Sequence, residues 1–258
     1  MAFLEGETVY LADRSGKRIW LRVSYEMLKI ASLGTVDGSR FRDLDDGSPV
    51  TIVGKEYHVF RPAAIELIES LERGAQIIGP KDAATIVFNC GIRSGDTVLE
   101  VGAGSGGLTT ALLSAVAPKG SVHTLEFKEE NAKLALKNIR RTGLDENWKC
   151  TIGDARCVKA DVTADALIMD MPDPWLALDN LCGSLRPGGR ICSYVPNMNQ
   201  AERIVAALRE KGFAEVYALE NIQRGLEVHP GGVRPAFEML GHTGYLIFGR
   251  KTSAGGKD

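Results

Sequence analysis

From Pro80 onward the chain alternates between apolar runs of strand length and segments with helical spacing, and that rhythm limits its fold more than any other feature. "KDAATIVFNCGI" reads as a helix and "DTVLEVG" as a strand. "GGLTTALLSAVAPKG" is a helix stopped by Pro118 and Gly120, followed by the strand "SVHTLEF" and the helix "KEENAKLALKNIRRTG". After the strands "KCTIGD" and "DALIMD" come a helix beginning at Pro174, the strand "GRICSYVP" and the helix "NMNQAERIVAALREKG". "AEVYALENIQRGLEV" and "TGYLIFGRK" then form a terminal antiparallel pair with a long connection. Parallel strands need helical crossovers, so this order predicts an open α/β sheet with helices on both faces.

Residues 1–60 read differently. "ETVYLADRSGKRIWLRV" is two alternating segments around Arg14-Ser15-Gly16-Lys17, and "SPVTIVGKEYHVFRP" is a second pair turning at Gly54-Lys55. Short strands joined by tight turns predict a small β-domain, with a barrel as one form it could take. Across 61–79, "RPAAIELIESLERGAQ" places Ile65, Ile68 and Leu71 at helical spacing and stops at Gly74, which suits a linking helix. The α/β domain then spans 80–252, and 253–258 is expected to be a disordered tail.

Composition excludes several classes. No apolar run approaches the roughly 18 to 20 residues that span a bilayer, and the opening "MAFLEGETVYLADR" carries acids where a signal peptide needs a basic start. Five cysteines (Cys90, Cys150, Cys157, Cys182, Cys192) form no CxxC pair, which suits the cytoplasm and offers no zinc site. A net charge of −2 gives no global sign of nucleic acid, so any basic surface is local or assembled between subunits.

"LEVGAGSGGLT" puts Gly102, Gly104, Gly106 and Gly107 between a strand and a helix, where missing Cβ atoms permit a sharp turn and close approach to a ligand. The turn alone fits NAD or S-adenosylmethionine (SAM). Three acids favour SAM. Glu100, two residues before Gly102, suits a cationic, amino-bearing ligand; Glu126 ends the next strand, where a carboxylate accepts ribose hydroxyls; Asp154 ends the third, placed for an adenine amino group. With "PKDAATIVF" in front, residues 80–250 resemble the class I SAM methyltransferase arrangement. That resemblance implies a Rossmann-like seven-stranded sheet and cofactor contacts from Glu100, Gly102, Gly104, Ser105, Gly106, Gly107, Leu108, Glu126, Phe127, Asn131, Asp154, Ala155 and Asp170.

"ALIMD" carries Asp170 to the carboxyl end of the fourth strand, the end at which α/β sheets bind ligands. Pro172 and Pro174 stiffen the turn after it, because each proline fixes its own φ and restrains its predecessor. "DMPDPW" resembles the Asp/Asn-Pro-Pro-Tyr turn of amino-methyltransferases acting on nucleobases, in which the first residue meets the exocyclic amine and an aromatic packs nearby. On that pattern Asp170 is the catalytic residue, and Pro172 and Trp175 flank the base. Trp175 suits core packing equally well.

"GPKDAATIV", "LEVGAGSGGLT", "MDMPDPW", "YVPNMNQ" and "RPAFEMLGHTGYLIFGRK" together resemble the tRNA (adenine-N1)-methyltransferases of the T-loop, which modify adenine 58 and in some archaeal members also 57. The resemblance covers nearly the whole chain and implies a tRNA substrate and a homotetramer. Relatives carry a bulky aromatic or histidine where this chain has Gly79, so no base-stacking role carries over there, and the choice between 57 and 58 stays open. Lys81, Asn197, Gln200, His242 and Thr243 complete the expected substrate contacts. Asn197 and Gln200 equally suit a helix cap, Asp82 a helix-start acid, and His242 a structural histidine. Arg14, Lys17 and Arg18 on the first hairpin either meet RNA phosphates or form a solvated turn. Two other readings compete: a protein carboxyl methyltransferase of the isoaspartyl type, and a fold-alike subunit that binds RNA without turnover.

Overall fold

A computed structural model describes residues 1–74 and 76–253. The tail expectation therefore lies, from residue 254 on, outside the described residues. The chain divides into two compact units, one of Met1–Leu71 with Arg140–Gly143, the other of Glu72–Ile139 with Leu144–Asp258.

In the first unit, β1 (Thr8–Ala12), β2 (Arg18–Arg22), β5 (Pro49–Ile52) and β6 (Lys55–Phe60) form an antiparallel sheet in the order β2-β1-β6-β5. With β2 and β5 at its edges this sheet is open, not a closed barrel. The first hairpin turns where expected, and Asp13 Oδ1 fastens it by accepting from Ser15 N at 2.8 Å and Lys17 N at 3.0 Å. The second turns one residue earlier than the sequence suggests. Ile52 pairs with Lys55, leaving Val53 (φ 50°) and Gly54 (φ 71°) as a two-residue loop with both residues left-handed, the geometry that matches strand twist. A further hairpin, β3 (Met27–Ile30) and β4 (Gly34–Asp37), was not legible in the sequence. Phe3, Leu11, Phe41, Ile52 and Val59 fill the unit's core. The helix expected across the linking segment is one short helix, α1 (Ala64–Glu69).

The second unit holds α2 (Pro80–Asn89), β7 (Thr97–Val101), α3 (Gly107–Val116), β8 (Ser121–Glu126), α4 (Glu129–Thr142), β9 (Trp148–Ile152) and β10 (Ala164–Met169). They are followed by α5 (Leu178–Leu181), β11 (Leu185–Val195), α6 (Met198–Glu210), β12 (Ala214–Glu220), the hairpin β13 (Leu226–His229) and β14 (Gly232–Pro235), and β15 (Tyr245–Arg250). Seven strands make one sheet in the order β12-β15-β11-β10-β7-β8-β9, in which β15 alone runs against its neighbours. The terminal pair is therefore β12 with β15, and the tail end of the long run read as one strand is instead β13.

Strand alternation divides the core between the two faces. Val98, Ala166 and Ile168 pack with α2 and α3 through Ile86, Leu112 and Leu113. Leu99, Val101, Leu167 and Met169 pack with α5 and α6 through Leu178, Leu181, Ile204 and Leu208. Each such buried Leu or Ile contributes about 1.5–3 kcal/mol. The helices carry their own end signals, as in α4, which starts with Glu129 and Glu130 and ends with Arg140 and Arg141, matching its dipole. Among the described residues no helix is long and apolar enough to cross a membrane.

Candidate active site

A cavity of about 470 Å³ opens at the carboxyl ends of β7, β8, β9 and β10, within the usual range for small-molecule sites. Gly102, Gly104, Glu126, Phe127, Asn131, Asp154, Ala155, Asp170 and Pro172 line it, all of them expected from the sequence. Gln76, Lys128, Arg156, Met171 and Asp173 line it as well and were not anticipated. Among these, Lys128 and Arg156 lie within two residues of expected acids, so proximity in sequence was the available signal; Gln76 had none.

The glycine turn is built around Glu126. Its Oε2 accepts from Ala103 N at 2.8 Å and Gly104 N at 3.1 Å, and its Oε1 from Lys128 N at 2.8 Å and, weakly, Asn131 Nδ2 at 3.4 Å. Gly102, at φ 90°, runs so close to the neighbouring strand end that a Cβ would fall 2.2 Å from the carbonyl oxygen of Asp170. Gly104, at φ 52°, has nothing within 4 Å of where a Cβ would stand. Ser105, Gly106, Gly107 and Leu108, expected as further cofactor contacts, lie outside the cavity lining. Ser105 accepts from Gly74 N at 3.0 Å, Gly106 and Gly107 pass against Ala135 and Ile77, and Leu108 lies in the core.

Asp170 continues β10 by one backbone bond, its N–H donating to Val101 O at 2.9 Å. Two prolines and Asp173, held left-handed at φ 55°, then turn the chain into a single 3-10 turn over Pro174–Ala177. Among the described residues the Asp170 carboxylate has no hydrogen-bond partner. Burial, with a smaller contribution from the Glu126 charge, pushes its pKa up to about 7. An unpaired carboxylate in such a place is costly, which makes Asp170 a candidate functional group.

Glu100 stands elsewhere. Strand alternation turns it to the α3 face, where it is fully buried and accepts from Thr109 Oγ1 at 2.8 Å and Thr124 Oγ1 at 2.6 Å. Trp148 Nε1 donates to Thr124 in turn, at 2.7 Å. Burial pushes the Glu100 carboxyl up to about 8 against those hydrogen bonds. Asp154 does face the cavity, but Arg156 grips both its oxygens at 2.6–3.1 Å and holds its pKa down at about 2.

The expected substrate residues other than Pro172 lie outside the cavity lining. Trp175 packs on the core of the α5/α6 face with the Arg203 guanidinium 5.3 Å from its ring. Asn197 caps α6, accepting from Gln200 N at 3.0 Å and donating to Gln200 Oε1 at 2.9 Å. Lys81 Nζ donates to Asp82 at 2.8 Å, Thr243 Oγ1 at 2.7 Å and Asn221 O at 2.6 Å, and Thr243 donates to Asp82 at 2.7 Å. His242 bridges Glu220 at 2.7 Å and Pro196 O at 2.9 Å, and the Glu220 hydrogen bond raises its pKa.

A seven-stranded sheet with one reversed strand, a glycine turn after its first strand in sequence and an acid ending the next define a Rossmann-like methyltransferase. The chain belongs to the family described as "tRNA methyltransferase complex GCD14 subunit", whose model matches residues 57–231. It is 33% identical to the tRNA (adenine(57)-N(1)/adenine(58)-N(1))-methyltransferase TrmI of Methanocaldococcus jannaschii over 93% of each chain. Among solved structures it is similar to a SAM-dependent O-methyltransferase of Thermotoga maritima, with TM-score 0.85, 28% identity and coverage of 99% and 97%. It is also similar to the tRNA (m1A58) methyltransferase TrmI of Aquifex aeolicus, with TM-score 0.78, 28% identity and coverage of 98% and 100%.

Proposed function

We propose that this enzyme transfers a methyl group from SAM to N1 of a T-loop adenine of tRNA, at position 58. The observation that carries the chemistry is Asp170: a carboxylate without a hydrogen-bond partner among the described residues, at the end of β10, in the wall of the cavity that Glu126 and Gly102 also line. Members of the family act by name on adenine N1 of tRNA. Because the Methanocaldococcus protein is named for adenines 57 and 58, both positions belong in any mapping.

The cavity fits SAM. Gly102 and Gly104 leave the backbone bare, and Gly104 leaves open space where a side chain would stand. Glu126 would hold the ribose hydroxyls, with the 3.4 Å Asn131 amide as the bond most easily replaced. Asp154 with Arg156, and Ala155, would edge the adenine. Glu100 acts from below, by fixing Thr109 at the start of α3. When bound, SAM supplies a methyl group on a positively charged sulfur.

Adenine N1 has a free lone pair but lies on the Watson–Crick edge, so the base must leave its stack or pairing. Asp170 accepts a hydrogen bond from the exocyclic amine, which orients N1 and favours the positive charge that the ring acquires. With its pKa near 7, the same carboxylate is also a competent proton acceptor. Pro172 restricts the turn that carries it. The non-catalytic reading is not favoured, because the relatives that match most of the chain are named as methyltransferases.

A homotetramer in the cytoplasm is part of the same proposal. Leu226, Val228, Val233 and Phe237 on and beside the β13–β14 hairpin are 60–78% exposed, which supports subunit contacts there. The test of function is incubation with labelled SAM and unmodified tRNA, with nucleoside mapping of the product. N1-methyladenosine in the T-loop is the expected product; label in any other nucleoside, or in protein, would overturn the assignment.

A further inference from the structure

Arg14 and Arg18 of the first hairpin are already engaged. Arg14 pairs with Glu56 at 2.7 Å, and Arg18 pairs with Glu69 and stacks over Tyr10 at 5.4 Å. A different basic feature lies within the N-terminal unit: a cavity of about 270 Å³ lined by Arg22, Arg61, Arg141, Glu7 and Thr8 among others. The arginine on α4 belongs to this unit by its packing.

The three arginines are not equivalent. Arg61 is a structural residue whose guanidinium is held by Glu7 at 2.6 Å, Met1 O at 3.0 Å and Ala2 O at 2.8 Å. Among the described residues the Arg22 guanidinium makes a single hydrogen bond, Nε to Gly6 O at 3.1 Å, and that of Arg141 a single long one, Nη1 to Ser70 O at 3.4 Å. Both therefore keep most of their N–H donors free. Thr8 is spent on Arg141 O at 2.6 Å, which ties the strand to the helix end. Glu7 is the one acid among the described lining residues, and it pairs with Arg61. The carboxyl end of α4 adds about half a negative charge, less than the two uncompensated guanidiniums supply. Planar forks with free donors around one concavity match a tetrahedral oxyanion with several acceptor oxygens.

We propose that Arg22 and Arg141 form an oxyanion pocket that takes a phosphate of the tRNA backbone, anchoring the substrate through the N-terminal unit. The pocket supplies no base specificity; it adds affinity that salt weakens. The tRNA assignment rests on the proposed function, whereas the anion chemistry does not.

The experiment measures tRNA binding by fluorescence anisotropy across a salt series for the wild-type chain and for Arg22→Gln/Arg141→Gln. SAM affinity serves as the folding control. Expected is binding weaker by about tenfold or more, with the slope of log K against log salt shallower by nearly two. Arg22→Lys/Arg141→Lys is expected to keep the slope. Should the double Gln variant melt below the assay temperature, each single Gln variant is expected to lose about half the slope change. A second arm titrates pyrophosphate into tRNA-free protein by calorimetry; binding lost in the Gln variant is expected and holds even if tRNA proves not to be the substrate. Unchanged tRNA affinity and slope with pyrophosphate binding lost would make this a free-anion site and overturn the RNA assignment. No change in either arm would overturn the pocket.

Discussion

A Cβ atom on Gly102 would lie 2.2 Å from the carbonyl oxygen of Asp170 and 3.2 Å from its carbonyl carbon. The glycine turn and the strand end bearing the acid are therefore spaced by the absence of one side chain. Real Cβ atoms do not approach backbone this closely, so the relation couples the ligand-facing turn to the position of the carboxylate.

Gly102→Ala must shift that backbone and hold a left-handed φ, so it is expected to lose about 3 kcal/mol of stability and most SAM affinity. Gly104→Ala meets nothing within 4 Å. It is expected to cost only about 1 kcal/mol, the left-handed strain, while still weakening SAM binding by intruding on the cavity. Urea unfolding and calorimetry on the two variants separate the effects. Equal stability losses would contradict the Gly102–Asp170 contact.

The raised pKa of Asp170 fixes a sign. Its ordinary value is 3.8 and its folded value about 7, so between those pH values the unfolded chain releases a proton that the native state keeps. Stability therefore falls as pH rises through that window and levels off above it. Glu100, held at about 8 by burial, contributes in the same direction. Asp170→Asn removes the first share alone. Its stability gain over wild type, without SAM, is expected to be larger at pH 8 than at pH 5 by on the order of 2 kcal/mol. A gain independent of pH would contradict the burial of this carboxylate.

Lys81 tests structure against substrate contact. Asp82 is fully buried, and Lys81 is its cationic partner. Lys81→Met strands that carboxylate and is expected to cost about 3–5 kcal/mol. Adding Asp82→Asn, which keeps an acceptor for Thr243, is expected to recover much of the loss in urea unfolding. A fully stable Lys81→Met protein with impaired tRNA binding would instead make Lys81 a substrate contact.

Much of this was legible in the sequence because the signals are local. The alternation of strand and helix, the glycine turn and the acids ending β8 and β10 follow from spacing alone. Glu100 was legible as buried strand but not as turned from the cavity; parity settles it, since Val101 lines the cavity and its neighbour must face the other way. The hairpins β3–β4 and β13–β14 were not legible because their strands are only four residues long and mostly exposed, so that even the alternation Leu226-Glu227-Val228-His229 in β13 marks no buried face. Lys81 and Thr243, 162 residues apart, meet only in the fold. Asn197 looked equally like a cap and a contact, and its side-chain oxygen goes to Gln200 N.

The central claim, that the Asp170 carboxylate acts on the adenine rather than on the fold or the donor, is tested most directly by Asp170→Ala. SAM binding measured by calorimetry is expected to stay within about tenfold of wild type, and single-turnover methyl transfer to tRNA to slow by about 10²–10³-fold. A folded Asp170→Ala protein that methylates tRNA at the wild-type rate would contradict it.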